Sequence, residues 1–175
     1  VSFQEMDHQA QQRAIGDLFY YPYPLGAAYP IWNTNAQAAF VGSNLNHDRF
    51  DYARAIMEGA AFGVRRALED FSQNGCEIRA LKVLGGASKS ALWTELICDI
   101  ANTPVQLLHE SDACALGAAI IAACGAGAHA DYAAAVTAMV HSAQTLSPSP
   151  EQAQYFAAKS ERYRNCWDQL AVYYQ

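Results

Sequence analysis

Two short apolar runs, each followed by a helical pattern, most constrain how this chain can fold. Residues 77–86 read EIRALKVLGG and residues 104–109 read PVQLLH, and both have the length and composition of strands. Helical periodicity follows each run, first in SALWTELICDIAN and then from Asp112 to about Cys124. Strands that alternate with helices through short links imply parallel strands joined by right-handed crossovers. The sequence therefore predicts an α/β fold, with the first run as a buried strand.

Further helices are predicted around this unit. The longest begins at capping side chains within residues 46–48, and Asn74 and Gly75 end it. Its apolar stripe follows three- and four-residue steps. The stripe consists of Ala53, Ile56, Met57, Ala60, Val64, Leu68 and Phe71. Other helices are predicted at about residues 4–18, 131–141 and 151–173, and a strand at 38–46.

Several segments are predicted to be buried. Ala, Leu, Ile and Cys surround the helix at 112–124, which Ser111 would cap, and such a helix is typically enclosed by protein. Prolines interrupt LFYYPYPLGAAYPIWNTN at 18–35, which favours an ordered loop held by its aromatic rings. Gly59 and Gly63 predict a close helix contact. The five cysteines form no CxxC pair and are interpreted as reduced, small core residues.

Composition narrows the classes of function. The net charge is −6 and the pI is near 5.2, so the chain has no broad basic field and nucleic acid is not expected as a partner. No apolar run reaches about 18 residues, so no membrane partner is expected. The start, VSFQEMDHQAQQR, does not read as a signal peptide, and a cytoplasmic location is expected. The scattered histidines show no zinc-binding spacing.

Gly85 and Gly86 lie where the first predicted strand ends and a helix is about to begin. In open parallel sheets, ligands bind outside the carboxyl ends of strands, near the free N–H groups of the next helix. Glycines at this place let a nucleotide base, ribose or phosphate rest on the backbone. The simpler interpretation, a tight turn without a ligand, is favoured for an isolated glycine pair, because neither GxGxxG nor GxxxxGK[ST] is present.

Longer motifs accompany these glycines. LKVLGGASKSALWTELICDIANTPVQLLHESDACALGAAIIAACGAG, YPYPLGAAYPIWNTNAQAAFVG and ARAIMEGAAFGVRRALE together resemble the C-terminal domain of the FGGY carbohydrate kinases over about residues 20–127. The resemblance implies that residues 1–175 form a single ribonuclease H-like (actin-like ATPase) domain, with a central mixed sheet flanked by helices. It implies that ATP lies in a cleft, held largely by this domain, and that magnesium assists transfer of the γ-phosphoryl to a sugar or polyol hydroxyl.

The resemblance also assigns residues. Gly85 would form the turn, Gly86 would lie against the nucleotide, Ala87 would contribute backbone, and Ser90 would lie near the adenine. The catalytic Asp, the N-terminal phosphate-binding turns and the sugar pocket of the family correspond to sequence before residue 1. No catalytic residue is therefore expected in this chain, and the isolated chain is expected to be inactive as a kinase.

Other residues of these motifs are expected to be structural. Trp93 is assigned to the core and Gly117 to helix packing beneath the site. For Ser88 and Lys89, a solvated position is favoured over a phosphate contact. Three aspartates, Asp48, Asp51 and Asp99, are explained by helix capping or an exposed helix face rather than by catalysis.

Departures from the family pattern keep a second hypothesis open. Ala28 stands where many members have Arg in GERxP, and Gln37 and Ala38 stand where they commonly have Arg-Gly, so charged contacts are missing. These departures favour a non-catalytic module on the actin-like fold, sugar-responsive or engaged in assembly. The glycines, Ser90 and the GGxxKSxxW variant favour a kinase similar to the small-ketose kinases, with xylulose as the candidate sugar. The aromatic loop Phe19 to Trp32 is expected to form an uncovered face that drives self-association.

Overall fold

A computed structural model describes residues 2–13, 16–110 and 112–174. Helices and strands alternate along most of this length, as the sequence predicted. In chain order the elements are α1 (Phe3–Gln11), β1 (Phe19–Tyr21), β2 (Ala39–Val41), α2 (Arg49–Gln73), β3 (Leu81–Val83), α3 (Ala91–Ala101), β4 (Val105–Leu108), α4 (Ala113–Gly125), α5 (Tyr132–Met139), β5 (Ser142–Leu146) and α6 (Pro150–Ala171). Short 3₁₀ turns cover Ala87–Lys89 and Val172–Tyr174.

The described strands form two sheets. β1 pairs with β2 in antiparallel orientation, and β3 pairs with β4 in parallel, with Leu81 opposite Val105. β5 joins the other edge of β4 in antiparallel orientation, with Val105 opposite Leu146, which completes the mixed order β3-β4-β5. The parallel crossover and the mixed sheet are confirmed. The sequence missed β5 because SAQTL is mostly polar and exposed, and β1 and β2 stand apart from the larger sheet.

Capping side chains define where the long helix α2 begins and ends. The Asp48 carboxylate accepts from the Phe50 N–H at 2.8 Å, and the Asp51 carboxylate accepts in return from the Asp48 N–H at 2.8 Å. Asn74 is the C-cap, and Gly75 follows in the left-handed region with φ +80°. These contacts confirm the predicted bounds and the structural roles of Asp48 and Asp51.

The buried face of α2 differs from the predicted stripe. Ile56 and Phe71 are each 41% exposed, whereas Arg54 and Glu58 are buried. The reason is that α2 packs on α1, α3 and β1 at once, so more than one side of the helix is covered. The close contact expected at Gly59 exists, but its partner is the backbone of Tyr20 in β1 rather than a helix. At Gly63, an ideal Cβ would meet no described atom within 4 Å outside the helix, so no close contact is seen there.

Aromatic rings join β1, α2 and α6 into the main core. The Tyr21 hydroxyl donates to the Tyr163 carbonyl at 2.8 Å, and the Tyr163 hydroxyl donates to the Tyr20 carbonyl at 3.0 Å. Phe62 stacks on the Tyr163 ring, with their centroids 4.6 Å apart. The predicted irregular loop is therefore wrong at its start, where residues 19–21 form strand β1. Trp32, later in the same segment, is 73% exposed.

Helix α4 contradicts the prediction of burial. Of its residues, Ile120 is the single buried one, and Ile121 is 62% exposed. α4 packs mainly against α5, so most of its apolar surface has no cover in the described part of the chain. An ideal Cβ at Gly117 would meet no described atom within 4 Å outside the helix itself, so the packing role assigned to this glycine is not seen.

Other predictions of burial were also wrong. β3 is half-buried rather than enclosed, and residues 77–79 before it are exposed. All five cysteines are free thiols, but Cys98 alone among them is buried, while Cys76 and Cys114 are exposed.

α1 ends at Gln11, earlier than predicted, and Ser111, the predicted cap of α4, lies outside the described residues. None of the helices in the described ranges has the length and apolarity that crossing a membrane requires.

Candidate functional site

Gly85 and Gly86 form the turn that follows β3. Gly85 has φ +71°, a left-handed conformation that residues with a Cβ rarely adopt. Gly86 has φ −61° and ψ −40°, which any residue adopts, and it opens the 3₁₀ turn at residues 87–89. The Ser88 hydroxyl donates to the Gly85 carbonyl at 2.8 Å and holds the turn closed. The backbone geometry therefore favours glycine at position 85 and does not favour it at position 86.

The surroundings do not require glycine at position 86 either. An ideal Cβ built on Gly85 or on Gly86 would meet no described atom within 4 Å. The backbone of this turn is consequently bare, and a flat or anionic molecule can approach it closely. Ala87, the next residue, contributes the first position of the 3₁₀ turn and is half-buried.

A cavity of about 830 Å³ opens beside Gly86. Its walls come from α1, α2 and the first turn of α3, and most of the lining is apolar. The apolar side chains are Phe3, Met6, Tyr52, Ala53, Ile56, Met57 and Trp93. Gln4, Asp7, Arg49, Lys89 and Ser90 provide the polar part of the lining. This volume lies within the range of small-molecule sites, which are typically apolar with a few polar groups.

A second, smaller cavity of about 430 Å³ also borders the turn, so the first cavity, of about 830 Å³, is the larger of the two. Gly86 and Lys89 border both cavities, and the second one is completed by Leu84, Gly85, Asp112, Ala113 and Cys114. The first turn of α4, which lies here, carries N–H groups and the positive end of the helix dipole. An elongated ligand with an apolar part in the first cavity and an anionic part in the second would meet Lys89 and the free N–H groups of α4, but also the Asp112 carboxylate, which already accepts from the Ala115 N–H. Lys89 is exposed, as predicted.

Ser90 is buried and begins α3. Its Oγ accepts from the Trp93 N–H at 3.0 Å, as a helix N-cap does. A serine hydroxyl can accept one hydrogen bond and donate another, so the capping role is compatible with a ligand contact. The structure thus brings Ser90, Gly86 and the first cavity together, while Ala87 and Gly85 lie in the adjoining turn.

Trp93 has a feature that the sequence did not indicate. Its ring packs partly on the core, as predicted, but it also lines the first cavity. The indole Nε1 is buried and has no hydrogen-bond acceptor among the described residues. Buried donors without a partner are uncommon in folded proteins.

The walls contributed by α1 and α2 were missed by sequence reasoning. Ile56 was assigned to the core stripe, yet its side chain faces the cavity. Phe3 and Met6 carried no recognisable motif. The signal that could have identified them is the apolar spacing of α1, whose residues 3 and 6 lie on one side of a short helix.

The loop positions that depart from the family pattern bring no charge to the surface. Ala28, Gln37 and Ala38 are all exposed. The same loop is anchored by a hydrogen bond from the Tyr29 hydroxyl to the Asp70 carboxylate, which raises the pKa of Tyr29 to about 12. No group of three His, Cys, Asp or Glu side chains in the described ranges could hold a metal ion.

Comparison with known proteins gives a consistent family. Residues 1–126 match the family model described as the FGGY family of carbohydrate kinases, C-terminal domain. The xylulose kinase of Bacillus subtilis is 27% identical over 168 residues, which cover 95% of this chain and 34% of that protein. The xylulose kinase of Haemophilus influenzae is 35% identical over 123 residues, or 69% of this chain and 25% of that protein.

Solved structures of similar proteins support the same family. A ligand-bound xylulose kinase from Lactobacillus acidophilus superposes with a TM-score of 0.83 at 27% identity, covering 98% of this chain and 35% of that one. A Brucella ovis xylulose kinase gives a TM-score of 0.83 at 26% identity, covering 97% and 35%. The predicted ribonuclease H-like, actin-like ATPase fold is confirmed. The chain spans about a third of the length of these relatives.

Proposed function

Because the chain belongs to the FGGY family of carbohydrate kinases, we propose that it is the nucleotide-binding domain of an ATP-dependent sugar kinase. The parent protein would transfer the γ-phosphoryl of ATP to a hydroxyl of the sugar. Xylulose is the proposed sugar, because relatives and solved structures named xylulose kinase recur among the similar proteins. We propose a cytoplasmic location, since free thiols suit a reducing compartment.

The observation that carries this proposal is the position of Gly86 between two cavities. An adenine ring fits the apolar surroundings of the larger cavity, and the ribose and phosphates would cross the bare backbone of Gly86. The phosphates would then reach the smaller cavity, where the first turn of α4 offers a partial positive charge. Lys89, which borders both cavities, would add a full positive charge.

Four residues of the turn have distinct roles in this proposal. Gly85 sets the left-handed turn, Gly86 gives the closest backbone approach, and Ala87 contributes backbone beside it. Ser90 keeps its cap on α3 and directs its remaining hydrogen-bonding capacity to the base.

The described residues of this chain form no cluster of side chains that would hold a magnesium ion on its own. In the described ranges no three carboxylate, imidazole or thiolate groups meet, and Asp112, which borders the smaller cavity, caps α4 through the Ala115 N–H at 2.9 Å. Magnesium bound with ATP would neutralise phosphate charge, which is its usual role in such transfers. We propose that the general base also lies outside this chain, because Asp48 and Asp51 cap a helix.

Calorimetric titration with ADP tests the proposal. Ile56→Trp should fill the larger cavity without disturbing the core, since Ile56 is 41% exposed, and ADP binding should be abolished. Val136→Trp, a change of the same size on α5 at a position 44% exposed and away from both cavities, should bind as the unaltered chain does. Absence of binding by the unaltered chain at millimolar ADP would refute the proposal. Equal affinities of the two variants would place the ligand elsewhere.

A second candidate is a non-catalytic module on the same fold, which is favoured by the uncharged positions Ala28, Gln37 and Ala38. The two candidate functions predict different activities for the full-length protein. A kinase phosphorylates a sugar from a panel of ketoses and polyols when ATP is supplied, whereas the module binds a sugar or a partner and gives no turnover.

A further inference from the structure

Three buried charged side chains link helices α2 and α6. Arg54 and Glu58 of α2 are 8% and 2% exposed, and Lys159 of α6 is 1% exposed. The Glu58 carboxylate accepts from Arg54 Nε at 2.8 Å and from Lys159 Nζ at 2.5 Å, so each oxygen has one cationic donor. Buried charges are costly unless they are paired and hydrogen-bonded, and this group is fully paired around one carboxylate.

Arg54 makes an additional contact that Lys159 does not make. Its Nη1 donates to the Ala10 carbonyl at 3.2 Å and lies 3.5 Å from the Gln11 carbonyl. Both carbonyls belong to the last turn of α1, at the negative end of the helix dipole, and the Ala10 carbonyl also accepts from the Arg13 N–H at 3.2 Å. A buried guanidinium at this place therefore binds the end of α1 to the middle of α2.

Apart from its packing on α2 and α3, helix α1 has few strong attachments among the described residues. Of its residues Ala10 is the buried one, and Phe3 at its start is 86% exposed. An ion pair joins Arg13 to Asp48 at 2.8 Å just beyond the helix, but both side chains are partly exposed, and such pairs contribute little. α1 nevertheless supplies one wall of the larger cavity, through Phe3, Met6 and their polar neighbours. The position of this wall depends on what holds the helix.

We propose that Arg54 is a positioning residue for nucleotide binding, which fixes the end of α1 and thereby the α1 wall of the larger cavity. Glu58 orients the guanidinium, and Lys159 completes the pairing of the carboxylate from α6. The inference rests on the proposed function, since it concerns the same cavity. Arg54 itself does not line the larger cavity, so its effect on a ligand passes through α1.

The triad contains its own matched control. Arg54→Met and Lys159→Met each remove one buried cation, and each leaves Glu58 with one cationic partner. Only the first removes the contact with α1. We expect both variants to melt at lower temperature. ADP affinity should fall about tenfold in Arg54→Met, the effect of losing roughly one hydrogen bond's contribution to the bound geometry, and stay within about twofold in Lys159→Met.

Amide hydrogen exchange gives a readout that needs no ligand. In Arg54→Met, the amides of residues 6–11 should exchange faster, because the end of α1 opens more often. In Lys159→Met they should exchange as in the unaltered chain. Arg54→Lys keeps a cation beside Glu58 but loses the fork that reaches α1, so its ADP affinity should lie between those of the unaltered chain and Arg54→Met. This variant also serves if Arg54→Met does not fold.

The outcomes separate the two proposals. An ADP affinity in folded Arg54→Met equal to that of the unaltered chain would overturn the positioning role. An equal loss in Arg54→Met and Lys159→Met would also overturn it, because a general loss of stability would then explain the effect. If the unaltered chain binds no ADP, the proposed function fails, even where exchange shows that Arg54 holds α1.

Discussion

Gly85 and Gly86 are neighbours with different physical requirements. The positive φ of Gly85 costs a residue with a Cβ about 1–2 kcal/mol, whereas the conformation of Gly86 is open to all residues. Nothing described lies where a Cβ on Gly86 would be placed. The two positions therefore separate the folding role of a glycine from a binding role.

Replacing each glycine by alanine tests this separation. Gly86→Ala should leave the melting temperature unchanged or slightly higher, and it should weaken ADP binding about tenfold to a hundredfold, because a close backbone contact is lost. Gly85→Ala should lower the melting temperature by roughly 2–8 °C through strain in the turn. Calorimetric titration and thermal melts of both variants measure these effects. Unchanged affinity in folded Gly86→Ala would remove the main residue of the proposed site.

At the scale of the helix, Asp99 shows a conflict between burial and charge. It lies in the last turn of α3, where a negative charge opposes the helix dipole, and its carboxylate accepts from the Ser149 N–H at 2.8 Å. Burial raises the pKa of Asp99 above its usual value of 3.8, and the hydrogen bond from Ser149 offsets part of that effect. The aspartate thus anchors the start of α6 at an electrostatic cost. The sequence predicted a structural role for Asp99, but through helix capping or an exposed helix face rather than through a half-buried contact with Ser149.

Asp99→Asn should therefore stabilise the chain in a pH-dependent way. Between pH 3.8 and the raised folded-state pKa, the folded state binds more protons than the unfolded state, so stability falls as pH rises through this window. The variant lacks this loss and should melt about 1–4 °C higher at pH 7, with a gain that shrinks towards pH 4. Asp99→Ala, which also loses the acceptor for Ser149, should show no gain. A constant difference across pH 4–7 would contradict the assignment to charge.

At the scale of the whole molecule, the uncovered apolar surface includes the later part of the aromatic loop, as the sequence indicated, where Leu25 is 97% exposed, and also helix α4, where Ile121 is 62% exposed. Phe19 and Tyr21 of the aromatic loop are in the core, although Trp32 remains exposed. The apolar surface that the sequence did not indicate is that of α4, which carries no charged side chain and packs mainly on α5. Contiguous exposed apolar surface of this kind favours association.

Self-association of the isolated chain should therefore occur through α4. Ile121→Lys, at a position 62% exposed, should shift sedimentation velocity profiles towards monomer. Leu45→Lys is the control, because Leu45 is fully exposed in a loop distant from α4 in sequence and packs on nothing in the core. A chain that stays monomeric at high concentration before any substitution would show that the surface does not associate.

The isolated chain should also have no kinase activity on any sugar. Phosphoryl transfer requires both reactants to be positioned in one closed site. This chain spans 34% of the xylulose kinase of Bacillus subtilis, and we expect the base and the sugar pocket to come from sequence outside this chain. A coupled assay of the purified chain with ATP, magnesium and a sugar panel measures this. Turnover above the rate without protein would mean that acceptor binding and base are present within these residues.

Local sequence patterns determined much of this protein. The caps at Asp48 and Asn74, the glycine turn and the parallel β3-α3-β4 unit follow from interactions between residues a few positions apart. The motifs shared with the family then identified the fold and the turn on which the candidate site is built. These features depend little on which other helices or strands pack against the element.

The tertiary structure alone decided which faces are covered and which side chains surround the site. The composition of α4 predicted burial, but burial requires an opposing surface, and α4 has one mainly in α5. The cavity combines side chains from α1, α2 and α3, and Glu58 pairs with Lys159, 101 residues away. Periodicity records the chemistry of one element, whereas packing depends on the relative placement of several elements. For that physical reason the buried triad and the cavity walls could be recognised only in three dimensions.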